Sequence, residues 1–148
     1  MNLKQSQKTT VPAEKHLDKK WFLVDVKGKT LGPTAVKIAN LLRGKEKTFF
    51  TPEQDCGDYV VAINAKHIRL SKNKMDTKLY QWHTRYPSGF RQRTAKEMME
   101  KKPDKILFAA VWGMLPRTKS RKHIIKKLRI FPEETHDHGA QKLQPLEI

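Results

Sequence analysis

The sequence of 148 residues holds a single cysteine, Cys56. One thiol forms no intramolecular disulfide and builds no cysteine-based zinc site. Long apolar runs are missing too: nothing approaches the roughly 20 residues of a membrane-spanning helix. The N-terminus lacks the apolar core of a secretory signal. The expectation is a soluble, intracellular chain with no membrane partner. Acids are scarce in the second half, where residues 72–129 carry 17 Lys or Arg against 4 Asp or Glu. That scarcity excludes a surface laced by i, i+4 ion pairs.

Catalytic signatures are also lacking. Gly28–Lys29–Thr30 invites a P-loop reading, but Leu23 stands where the motif needs its first glycine. Gly28 and Gly32 do not form the G-x-G-x-x-G of a dinucleotide site. His136 and His138 have no acidic or cysteine partners to complete a metal set, so they read as solvated tail residues. Glu53, Asp55 and Asp58 flank Cys56 and read as caps or partners of nearby cations rather than an acid–base pair. No enzyme, cofactor, metal or small-molecule substrate is expected.

What is present is positive charge. The formal net charge is +16, a field that attracts polyanions and leads to nucleic acid first. Hydrophobic residues make up 37%, enough for one core in a single domain.

The apolar pattern predicts an α/β order. "WFLVDV" (21–26) and "DYVVAIN" (58–64) read as buried strands. Between them a helix is expected to open at Pro33, to place Ala35, Ile38, Ala39 and Leu42 on one face, and to end at Gly44. A strand–helix–strand unit of this kind favours a right-handed parallel crossover. "KLYQWHT" (78–84) reads as a further strand. "TAKE" (94–97) has the form of a capping box. Pro103 opens another helix, whose stripe Ile106, Leu107, Ala110, Val111, Met114 and Leu115 is expected in the core. The segment after Pro132 reads as a polar, acidic tail.

Two stretches carry the functional argument. From Arg117 to Arg129 seven Lys or Arg occur with no acid between them. Read as a helix over 119–129, Lys119, Lys122, Lys126 and Arg129 share a face opposite Ile124, Ile125 and Leu128. Arg121 then falls near the apolar side and has to snorkel or reach elsewhere. The second stretch, "YQWHTRYPSGFRQR" (80–93), interleaves Tyr80, Trp82, Tyr86 and Phe90 with Arg85, Arg91 and Arg93 about the turn "YPSG". Planar cations on a loop beside stacking platforms suit RNA.

Across most of the chain, Trp21 to Gln141, spaced motifs stand in one order: "KTLG", "LLRGK", "FFTPEQDCGD", "VVAINA", "HTRYPSG", "KKP", "GMLP" and "HDHGAQ". This series resembles the bacterial form of the large-subunit ribosomal protein thirteen family. The resemblance implies a three-layer α/β/α sandwich around a small, mostly parallel sheet, with basic extensions. It implies binding to large-subunit ribosomal RNA, a part in early subunit assembly, contacts with neighbouring ribosomal proteins, and a cytoplasmic place within the ribosome. The alternative is a free RNA-binding translational regulator. Departures are Pro33 where the family has Arg, "YPSG" for "YPGG", and Arg121 and Lys122 where Gly and Arg are common. The RNA-facing set is Lys29, Arg43, Lys45, Lys47, His83, Arg85, Tyr86, Arg91, Arg93, Arg117, Lys119, Arg121, Lys122, Lys126, Lys127 and Arg129. The expected organisation is a flexible extension over 1–20, an RNA-binding domain over 21–131 and a tail over 132–148.

Overall fold

The structure, a computed structural model, describes residues 17–147. Most of the extension predicted over 1–20 therefore lies outside the described residues. The fold starts from two central apolar strands, one buried almost throughout and the other, expected to be buried, only in part. Strand β1 (Trp21–Asp25) and strand β2 (Tyr59–Ile63) run parallel, with Trp21 opposite Tyr59 and Asp25 opposite Ile63. Helix α1 (Leu31–Arg43) crosses between them. It begins two residues before Pro33, because Thr34 N–H already donates to Thr30 O. Pro33 is tolerated there, since first-turn residues have no N–H partner within the helix. Gly44 ends α1 in the left-handed region, at φ +74, with a Cβ position only 2.6 Å from Cys56 O. A side chain at this point meets both backbone strain and a clash.

After a short turn, α2 (Lys74–Thr77), an antiparallel hairpin stands apart from the main sheet. Its arms are β3 (Leu79–His83) and β4 (Phe90–Thr94), with Trp82 opposite Arg91. Two helices follow, α3 (Ala95–Lys101) and α4 (Pro103–Met114). The predicted cap is present: Glu97 N–H donates to Thr94 Oγ1 at 3.3 Å. Pro103 takes the first helical position. In the α4 stripe Ile106, Leu107, Val111 and Leu115 are buried, but Met114 is 40% exposed. Met114 instead helps line an open cavity with Leu31, Pro33 and Leu70, because α4 ends there and overhangs the body.

The long basic helix does not form. Helix α5 covers only Arg121–Ile125, and the chain then enters β5 (Leu128–Ile130) beside β2. Pairing with Val60–Ala62 satisfies the backbone groups that face β2 and buries Leu128, and that outweighs a helix of like charges with no acids to offset them. Lys119, Lys126 and Arg129 consequently stand outside the helix. The polar segment after Pro132 also returns to the body. Its strand β6 (Leu143–Pro145) pairs in parallel with β1, giving the order β5-β2-β1-β6, all parallel.

The sheet's inner face, with Val24, Val26, Val60, Ala62 and Leu128, meets Ile38 and Leu42 of α1 and Ile106, Leu107 and Val111 of α4 in one core. Along a strand alternate residues face opposite sides, so Trp21, Tyr59 and Phe131 belong to the other face. There Trp21 stacks on Tyr59 at 4.4 Å, and His138 packs on both Trp21 and Phe131. The tail histidines, predicted to be solvated, thus cover the outer face of the sheet.

Candidate nucleic-acid interface

The β3–β4 hairpin presents the first half of the site. Its tip is a turn closed by Gly89 N–H donating to Tyr86 O at 2.9 Å, with Pro87 and Ser88 between. Ser88 sits at φ +57, the position where the related motif has glycine. Gly89 is confined because a Cβ would run into Thr84 Oγ1 and Tyr86 O. At the neck, Arg85 has φ +67 and its N–H donates to His83 Nδ1 at 2.9 Å. The tip therefore holds Arg85 and Tyr86 outward, and Tyr86 is 75% exposed. Behind it Arg93 lies 5.4 Å over the Trp82 ring, while Trp82 and Phe90 remain largely exposed. Arg91 and Arg93, expected on a loop, are carried by strand β4. Tyr80, half-buried with Lys78 over its ring, has its hydroxyl pKa pushed up by burial.

The second half is the segment after α4. Arg117, Lys119 and Lys122 are exposed and, with Trp112 and Arg121, line a concavity of about 250 Å³. Arg121 found the neighbour its position demanded: its guanidinium sits 4.0 Å over the Trp112 ring, which stacks in turn with Phe108. Its Nε is buried without a hydrogen-bond partner among the described residues. Trp112 and Phe108 were not singled out in the sequence. Their signal was present all the same: an aromatic pair at i, i+4 lying off the apolar stripe of α4.

The remaining predicted residues divide. Lys45, Lys126 and Arg129 are exposed. Arg43 is half-buried over Phe50 at 5.6 Å, and Lys29 is half-buried in the turn after β1. Two lysines of the expected set, Lys47 and Lys127, are largely buried and paired with carboxylates. Lys47 donates to Asp58 at 2.6 Å and to Asp18 O at 2.9 Å. Lys127 is only 5% exposed; it pairs with Asp55 and donates to Leu42 O at 2.9 Å, near the end of α1. Both ammonium groups are largely buried and paired with carboxylates, so neither presents a free charge.

This pairing also accounts for the acids around Cys56. Asp58 accepts from Lys20 N–H at 2.9 Å and Asp55 pairs with Lys19 at 3.3 Å, which ties the start of the domain to the 51–58 loop. Burial alone would raise the Asp55 pKa, but the Lys127 and Lys19 ammonium groups outweigh it and hold the carboxyl below 3.8. For Lys127 burial wins and lowers the pKa from 10.5, with Asp55 opposing. Gly57 allows the close approach, since a Cβ there would overlap Leu42 O and crowd Lys127 Nζ. Among the described residues no cluster of His, Cys, Asp or Glu could hold a metal.

Known proteins resemble this chain over most of its length. The family described as ribosomal protein L13 matches residues 19–137. A relative named large ribosomal subunit protein uL13, from Aquifex aeolicus, is 46% identical over 132 residues, which cover 89% of this chain and 92% of the relative. Proteins of the same name from Maridesulfovibrio salexigens and Thermotoga petrophila are 46% and 41% identical, covering 95% and 96% of this chain and 99% and 95% of theirs. With the family match spanning most of the described fold, the chain belongs to the ribosomal protein L13 family.

Proposed function

We propose that this protein is a structural, non-catalytic component of the large ribosomal subunit, where it binds large-subunit ribosomal RNA and supports early assembly in the cytoplasm. The observation that carries the reading is the separate hairpin, which exposes Trp82, Tyr86 and Phe90 among Arg85, Arg91 and Arg93. Exposed rings and guanidinium groups on one small platform match unpaired or irregular RNA, whose bases stack and whose phosphates accept. The 117–122 segment adds a second cationic surface, for backbone contacts that position without reading sequence. The names of the relatives supply the subunit. Neighbouring ribosomal proteins are the other partners of this reading.

Arg85→Lys and Arg91→Lys test the hairpin at constant net charge. A planar fork can stack and bind bidentately, and an ammonium cannot. Affinity for a large-subunit RNA fragment at physiological salt should fall by about 1 kcal/mol or more per site. Equal binding by both folded variants would reduce the hairpin to diffuse attraction. Sedimentation of lysate tests the subunit assignment: co-migration with the large subunit is expected, and a free pool that binds RNA would favour the regulator instead.

A further inference from the structure

The two edges of the main sheet are finished differently. Leu146 N–H donates to Leu23 O, so the even residues of β6 face β1 and the odd ones, Leu143 and Pro145, face outward. Pro145 has no N–H to offer, which blunts that edge against further pairing. At the opposite edge Lys127 O accepts from Val60 N–H and Phe131 N–H donates to Ala62 O. The odd residues of β5 therefore bond to β2, and the backbone groups of Leu128 and Ile130 face outward. Neither has a partner on that side among the described residues. Among the described residues no proline within β5, bulge or covering helix protects this edge.

Beside it lies a groove of about 390 Å³ between α4 and β5, lined by Asp104, Lys105, Phe108, Arg129, Ile130 and Phe131. Phe108 is 43% exposed there. We infer that the β5 edge and this groove form a docking site for an extended, acidic peptide segment of a partner protein, added in register as a fifth strand. An open strand edge presents donors and acceptors alternately, and a peptide backbone satisfies both. RNA phosphates offer only acceptors and would leave the outward carbonyl groups unmatched. Lys105 and Arg129 against the single Asp104 set the preference for acidic side chains. Phe108 supplies the apolar contact that fixes register. Arg129 then serves a protein partner rather than RNA, and the proposal uses none of the hairpin residues.

Backbone amide exchange on the intact chain tests it, with a blocked hexapeptide of alternating Val and Glu as the probe. At a concentration about four times its dissociation constant, the Leu128 and Ile130 amides should exchange about five-fold more slowly, by mass action. The Val and Lys counterpart should protect them far less. Ile130→Pro removes an outward donor while leaving the bonds to β2, and should abolish the protection with folding intact by urea titration. The proposal is overturned if the Glu peptide leaves both amides unprotected at millimolar concentration. It is equally overturned if an oligouridylate protects them as well, or if protection grows with protein concentration alone, which would assign the edge to a second copy.

Discussion

Lys127→Met separates a lysine that holds the fold from the lysines proposed to face RNA. The substitution keeps the apolar stem and removes the ammonium group. Leu42 O then loses its buried donor, which costs about 1–3 kcal/mol. Breaking a fully buried ion pair costs about 3–5 kcal/mol. That figure must be discounted here, because the Asp55 side chain is 36% exposed and keeps Lys19 at 3.3 Å. About 1 kcal/mol is a fair share for the pair, giving about 2–4 kcal/mol in all. With a urea slope of about 1.5–2 kcal/mol/M, the unfolding midpoint should fall by about 1–3 M at unchanged slope. Acid titration adds a second reading. The Asp55 carboxyl is held below its unfolded value of 3.8, so its contribution is present above that pH and lost as pH falls through the folded value. Lys127→Met should therefore weaken the dependence of stability on pH below about 4. RNA affinity of the folded variant should stay within about two-fold, or 0.4 kcal/mol, of the parent. A stability change under about 0.5 kcal/mol, together with a clear loss of RNA binding, would refute the buried-anchor argument and restore Lys127 to the interface.

Affinity for ribosomal RNA should depend steeply on salt: with about six phosphates neutralised, log K falls against log salt with a slope of roughly −4 to −5. A nearly flat plot would remove phosphate neutralisation as the main source of affinity. Val111, fully buried in the core, should not accept a charge, so Val111→Asp is expected to unfold or aggregate the chain. Lys122→Ala should leave thermal melting unchanged and weaken RNA binding; equal loss of stability from both would show that the surface has been misassigned. Gly57→Ala forces a methyl onto Leu42 O and should destabilise by about 2 kcal/mol or more in urea titration. A neutral result would mean that the 51–58 loop moves freely away from α1.

What could be read from the sequence was local. Strands β1 and β2, helix α1 with Gly44 at its end, the Thr94 cap and the Pro103 start each rest on signals within one element. The readings that failed depended on distant partners. Nothing near Lys127 announces that Asp55, seventy-two residues away, will bury it. A basic run with Ile124, Ile125 and Leu128 suits helical spacing, and only the open side of β2 decides that Leu128–Ile130 becomes a strand. Strand β6 has a proline among three residues and no alternating apolar pattern, so its place beside β1 had no local signature. The candidate interface was legible as composition, with aromatics among arginines, but not as geometry. The stacking of Arg121 on Trp112 required α4 and the 117–121 turn to be in place.

The strand order bears on how the chain reaches this state. Each pairing in the main sheet is parallel, so no tight turn can start it, and every pairing awaits a crossover. The β1–α1–β2 unit closes over the shortest loop and is the natural nucleus, while Trp21 meets Leu143 only after nearly the whole chain is available. Such long closures come late and slowly. During synthesis the β1 flank that β6 will cover therefore stays bare until residues 143–145 emerge, a period in which unpaired strand edges favour association with other chains. A proline in the closing strand is suited to that timing. It pairs through its neighbours on the inner side, and once docked it ends the sheet.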